Sequence, residues 1–199
     1  MSRYKPKDAL GKCDEYEIIN LNALYNKNNY NGLDIVLFEV NSNFDNRGEL
    51  TENFKQSTIR ELTNQDFNPK QQNLVQSRKN VFRGIHNSKS QNKLVSCING
   101  AIIDISVDLR KDSRNFGSIY TALLTESNRF NLFVPKGFGH GYYCLSDKTK
   151  VSYLLDGEYE SNFEETWNAT QILNRIEEID QQSVVMSTKD KSAKKLFLD

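Results

Sequence analysis

From residue 33 onward the chain is a succession of short apolar runs punctuated by turn residues, and that pattern limits the folds open to it. Residues 33–40 read as a strand. Asp45-Asn46-Arg47-Gly48 reads as a turn, and residues 49–54 continue as a second strand. Residues 93–98 run into Asn99-Gly100, a dipeptide that favours tight hairpins, and residues 101–109 follow with their own alternation. Residues 119–124, 131–134 and 151–155 complete the series. Many short strands with turns between them predict an all-β sandwich or barrel. Strand alternation sends every second side chain inward, so polar residues at those positions line a cavity instead of filling a core.

Helical signals are peripheral. Residues 56–66 form the best helix candidate, with Ile59 and Leu62 three apart. Ile18, Leu21 and Tyr25 fall at helical spacing before the polar linker 26–32. After Gln171 the strand pattern gives way to Ile172, Leu173 and Ile176 at helical spacing. Two units follow: an N-terminal extension over 1–32 and a β domain over 33–199.

Charge narrows the partners. Lys plus Arg and Asp plus Glu both number 26, for a formal net charge of zero. A general nucleic-acid binder needs excess positive charge, so nucleic acid is not expected, although a local cationic pocket is compatible with neutrality. No segment approaches the roughly 20 apolar residues of a membrane span. No apolar run follows the first residues, which argues against a secretory signal. Cys13, Cys97 and Cys144 make no CxxC pair, and Cys97 and Cys144 read as buried free thiols. A cytoplasmic protein is expected. The sequon Asn168-Ala169-Thr170 is then a chance match.

The chemistry concentrates around two histidines. His86 closes Val81-Phe82-Arg83-Gly84-Ile85-His86. His140 lies in Pro135-Lys136-Gly137-Phe138-Gly139-His140, a Pro-x-Gly-x-x-His pattern like that of cupins, in which glycines allow a sharp turn into the barrel mouth. A metal-binding cupin also needs a His-x-His pair, and here that place reads His86-Asn87-Ser88. Two imidazoles make a poor transition-metal set. A third ligand such as Glu52 would be required, so no metal is expected. Without a metal, imidazole suits general-base work, which needs an orienting partner, a cation and an acid. Arg83, Lys93, Tyr153 and Asp190 are the candidates. Each also has a structural reading: a paired Arg83, a strand-edge Lys93, a core Tyr153, and Asp190 in a capping box begun by Ser187.

Taken together, the segments resemble the dTDP-4-dehydrorhamnose 3,5-epimerase family. The matching stretches are Phe44 to Glu49 with Glu52, Asn80 to His86, Lys93 to Gly100, Asp104 to Ser113, Pro135 to Tyr142, Tyr153, and Ser187 to Asp190, in the family's order. The resemblance implies a cupin-type jelly roll (a double-stranded β-helix) with a few short peripheral helices. It implies a homodimer, no cofactor, and a nucleotide-linked 4-keto-6-deoxyhexose as substrate. By the same resemblance His86 is the base, Asp190 its orienting carboxylate, and Tyr153 the acid on the opposite sugar face. Lys93 and His140 support the keto oxygen and sugar, and Arg47, Glu52, Gln71 and Arg83 bind substrate. The chain departs from the family at Asn87-Ser88, where Phe-Gln is usual, and at Trp167-Asn168-Ala169-Thr170, where Trp-Asn-Asp-Pro is frequent. Rival readings are a C3- or C5-monoepimerase, an epimerase of another 4-keto sugar such as a heptose, a metal-dependent cupin, and a non-catalytic sugar-nucleotide-binding barrel.

Overall fold

The computed structural model describes residues 18–25, 33–158 and 164–195. Cys13 and the linker 26–32 lie outside them. The first elements are β1 (Ile18–Asn20), α1 (Leu21–Tyr25), β2 (Val36–Glu39), β3 (Ser42–Asp45), β4 (Gly48–Thr51) and α2 (Gln56–Thr63). The central strands are β5 (Gln71–Ser77), β6 (Phe82–Ser88), β7 (Lys93–Asn99), β8 (Ala101–Asp108), β9 (Ile119–Thr125), β10 (Phe130–Val134), β11 (Phe138–Cys144) and β12 (Thr149–Leu155). The chain closes with β13 (Glu164–Asn168), α3 (Thr170–Leu173), α4 (Thr188–Ser192) and β14 (Lys194–Lys195).

Two curled sheets face each other in a cupin-type jelly roll. One has seven strands in the order β1-β9-β8-β11-β6-β13-β14, the other five in the order β2-β10-β7-β12-β5. Among the described residues β3 and β4 pair only with each other, as a separate hairpin.

β8 shows why the layers form. Its even positions, Ile102, Asp104, Ser106 and Asp108, alternate with Ile103, Ile105 and Val107, and all are buried. Ile102 packs into the main core with Leu37, Val95, Leu132 and Val151 from the opposite sheet. The odd positions pack on the other face against Ile172, Leu173, Ile176 and Ile179. The C-terminal segment is therefore a cover that buries the outer face of the larger sheet. A strand buried on both sides reads as a nearly unbroken apolar run, which explains why its two inward carboxylates stand out.

The glycine-rich histidine segments are strands more than turns. The turn is confined to Pro135–Gly137, where Phe138 N–H donates to the Pro135 carbonyl at 3.2 Å and Gly137 has a φ of 84°. Gly139 and Gly141 lie within β11. β6 and β11 press so closely that a Cβ added at Gly84 would sit 2.5 Å from the Gly141 Cα. Gly84 also holds a φ of 134°, which side-chain-bearing residues rarely adopt.

At the N-terminal side, Ile18 lies in β1 and pairs in parallel with Ile119, so the helix begins only at Leu21. Leu21 is buried in the main core. Asn22 donates from its side-chain amide to the Leu123 carbonyl and accepts from the Leu123 N–H, at 3.1 and 2.7 Å. Residues 18–25 are thus stitched to the edge of β9. α2 stops at Thr63, short of the expected 66, because Asn64 turns left-handed (φ 55°) and donates its N–H to the Arg60 carbonyl. Among the described residues no helix is long and apolar enough to cross a membrane.

Candidate active site

His86 and His140 are direct cross-strand partners on β6 and β11. Directly opposed residues share a face, so both imidazoles point between the sheets. The smaller sheet approaches from the other side. In β12 Tyr153 pairs with Val95 of β7 and Asn73 of β5, and Leu155 pairs with Lys93. A cavity of about 320 Å³ lies between these walls. Arg83, His86 and His140 line it from the larger sheet, and Asn73, Lys93 and Tyr153 from the smaller. Ser187, Lys189 and Asp190 close it from the C-terminal segment. Arg83, Lys93 and Lys189 bring three cations to one hollow beside the single carboxylate of Asp190, a charge balance that suits an anion.

Each imidazole is held by a carboxylate. His86 Nε2 lies 2.9 Å from Asp190 Oδ1; the His86 side chain is 30% exposed and that of Asp190 only 5%. Asp190 is positioned by α4. Ser187 caps that helix by accepting the Asp190 N–H at 3.1 Å, and Asn168 fastens it to β13 by donating to the Lys191 carbonyl at 2.8 Å. The capping role and the dyad role of this segment coexist, because the cap uses the Asp190 backbone and leaves its carboxylate for His86. The altered Trp167–Thr170 stretch serves this end of the molecule: Asn168 Oδ1 also accepts the Thr170 N–H at 2.9 Å, and Ala169 is buried against Ile172 and Leu173.

His140 is 4% exposed, and its Nε2 lies 2.7 Å from Asp104 Oδ2, which is wholly buried. Ser106 donates a hydroxyl to the other Asp104 oxygen at 3.2 Å. One imidazole therefore borders water and the other is sealed into the wall.

Tyr153 stands edge-on to His140, with ring centroids 5.7 Å apart. It keeps some accessible surface as a cavity wall, yet protein surrounds it. Burial is the main cause that pushes its phenol well above the ordinary tyrosine range, with Tyr142 adding to the effect. Tyr153 thus holds its proton throughout the physiological range.

The structure gathers His86, Asp190, Tyr153, Lys93, Arg83 and His140 around one cavity. Gln71 stands one step behind, donating to Asn73 Oδ1 at 2.9 Å. Arg47 and Glu52 are elsewhere. The Arg47 side chain is 85% exposed on the β3–β4 hairpin and pairs with Asp45 at 2.5 Å. Glu52 pairs with Lys55 at 3.5 Å, outside the cavity lining. Among the described residues no three His, Cys, Asp or Glu side chains gather where a metal ion could be held. Sequence reasoning gave no role to Asp104, Asn73, Tyr142 or Lys189. Asp104 had a signal, a carboxylate at an inward position of an otherwise apolar strand. Asn73 had none, since β5 is a polar edge strand whose Leu74 is exposed.

A jelly roll with a carboxylate-held imidazole facing a phenol across an anion-suited cavity is the architecture of a cupin-type carbohydrate epimerase. A family model described as dTDP-4-dehydrorhamnose 3,5-epimerase matches residues 32–197. The chain is 36% identical over 144 residues to dTDP-4-dehydrorhamnose 3,5-epimerase of Escherichia coli K12, covering 70% of this chain and 78% of that protein. A solved dTDP-6-deoxy-D-glucose-3,5-epimerase of Legionella pneumophila, in complex with dTDP-4-keto-L-rhamnose, is similar at a TM-score of 0.76 and 31% identity, over 82% of this chain and 88% of that one. A 3'-monoepimerase of Streptomyces bikiniensis, in complex with dTDP-quinovose, is similar at a TM-score of 0.75 and 25% identity, over 82% of this chain and 84% of that one. The chain belongs to the dTDP-4-dehydrorhamnose 3,5-epimerase family.

Proposed function

We propose that the chain takes dTDP-4-dehydro-6-deoxyglucose and inverts C3 and C5 by proton transfer, as an isomerase of rhamnose biosynthesis. The observation that carries this reading is the pairing across one cavity of the His86–Asp190 dyad on one wall with Tyr153 on the other.

The C4 ketone acidifies the hydrogens on both neighbouring carbons. With Nε2 committed to Asp190, His86 takes the proton at Nδ1. Asp190 fixes the tautomer and stabilises the imidazolium that results. Electrons move onto the ketone oxygen, and the Lys93 ammonium stabilises that charge. Tyr153, kept protonated by burial, delivers a proton to the opposite face of the carbon, and the centre inverts. Arg83 suits the diphosphate, because a guanidinium offers parallel charge-assisted hydrogen bonds. His140, sealed against Asp104, shapes the wall beside the sugar. No step calls for a metal or an organic cofactor.

A homodimer in the cytoplasm is the setting we propose. It gives Arg47 and Glu52 a route to substrate: on a hairpin away from their own cavity, they act at a second copy's cavity.

Incubation with dTDP-4-dehydro-6-deoxyglucose in heavy water tests the reading. Deuterium at C3 and C5 of an inverted product is the expected result. Label at one centre selects the monoepimerase reading. No exchange by wild-type protein that binds the nucleotide overturns catalysis altogether.

A further inference from the structure

Behind Tyr153 stands a second phenol that the mechanism above leaves unused. Tyr142 lies on β11, two residues beyond His140, and is completely buried. Its ring centroid is 6.1 Å from that of Tyr153, with the planes tilted by 50°. Its hydroxyl meets the geometry of a hydrogen bond with no group among the described residues. The polar groups acting on it are the hydroxyls of Ser77 and Tyr153. Ser77 in turn accepts from Arg83 Nε at 2.9 Å. A buried hydroxyl without a partner is costly, and a phenylalanine would fill the same space without that cost. An unmade bond of this kind beside a reacting group marks a donor waiting for an acceptor that the resting state lacks.

We propose that Tyr142 is a positioning residue for proton delivery: its hydroxyl donates to the Tyr153 oxygen once that oxygen has given up its proton. The inference rests on the assignment of Tyr153 as the acid. When the Tyr153 O–H bond breaks and the new C–H bond forms, a phenolate is left in a buried place. Burial disfavours that charge, and without a nearby donor the transfer would be uphill. At rest Tyr142 helps keep Tyr153 protonated; once that proton has left, the Tyr142 hydroxyl turns to donate, with Ser77 and the Arg83 guanidinium behind it. Afterwards the His86 imidazolium loses a proton to water and the phenolate regains one from water, so the cycle balances with no other reactant. The Tyr142 bond exists only after proton transfer has begun, so it acts on turnover and not on binding.

Tyr142→Phe removes one oxygen and tests this. The expected result is a tenfold to hundredfold fall in kcat, about what a hydrogen bond to a charged group contributes, with KM unchanged within about twofold. The melting temperature stays level or rises, because the variant loses an unpaired buried hydroxyl. In heavy water the variant still exchanges substrate hydrogens with retention through His86, while inverted product forms slowly. Wild-type kcat in Tyr142→Phe overturns the proposal, as does a loss confined to KM. Absence of exchange in both wild type and variant instead overturns the epimerase reading beneath it.

Discussion

Asp190→Asn isolates the dyad. The substitution keeps the side-chain shape and leaves the backbone bond to Ser187 untouched, so α4 keeps its cap. What goes is the negative charge 2.9 Å from His86 Nε2, on a side chain 5% exposed to water. Hydrogen bonds to charged groups contribute about 1.5–3 kcal/mol. The contact lies toward the upper part of that range, since Asp190 is nearly dry while His86 is only partly so. If the whole contribution falls on the imidazolium formed in the transition state, kcat drops about tenfold to 150-fold. An amide can also donate to Nε2 and hold the ring in the tautomer that blocks abstraction at Nδ1, which pushes the loss higher. KM changes little, because the bond strengthens only as charge develops. The assay is steady-state epimerisation paired with deuterium incorporation, and both should fall by the same factor. Asp190→Asn activity within twofold of wild type would refute the role given to the carboxylate and, with it, the choice of His86 as base.

Tyr153→Phe should lower formation of inverted product by at least about a hundredfold, the usual contribution of a placed general acid, while deuterium exchange through His86 persists; parallel loss of both would remove the two-face assignment. His140→Ala leaves Asp104 as a buried charge without its partner and should destabilise the protein by about 3–5 kcal/mol in urea unfolding, whereas His86→Ala unpairs Asp190 at the cavity wall, where water can replace the imidazole, and should cost less. Gly84→Ala forces a side chain into the backbone of β11 at a φ of 134° and should cost at least about 1–3 kcal/mol by the same measurement. Burial lifts the Cys97 thiol from 9.0 to about 12 and that of Cys144 from 9.0 to about 11. Both should resist alkylation at pH 8 until the protein unfolds, read by peptide mass spectrometry. The raised values also mean that their contribution to stability is intact below pH 9 and is lost as pH climbs through 11 to 12.

Legibility in the sequence followed the strength of local pattern. β7 and β8 were readable because alternating apolar residues flank Asn99-Gly100, and that dipeptide forms the hairpin turn with Gly100 at a φ of 82°. β6 and β11 hid behind their glycines, which look like loop residues but allow two backbones to touch. β5 hid because an edge strand with glutamines facing outward carries no hydrophobic period. β1 was masked by a helical spacing that tertiary pairing with β9 overrode at Ile18. For the site, His86, Lys93, Tyr153 and Asp190 converge although 104 residues separate the dyad's members. No spacing rule could bring them together; only the motif resemblance did. Asp104 and Tyr142 went unassigned because their importance lies in what they face, which is set by register and not by neighbours in the chain.

The backbone contact between Gly84 and Gly141 has a consequence for how such a site can diversify. It sets the separation of the strands bearing the two imidazoles by main-chain contact, leaving that wall almost no freedom to adjust. Room for a different sugar must come from the facing wall, where Asn73, Val75 and Leu155 can change size without disturbing either dyad. The two imidazoles are thus fixed on one sheet, while the facing sheet carries Tyr153 and Lys93 among side chains that are free to vary, and exchanging Asn73, Val75 and Leu155 is the direct way to redirect the scaffold.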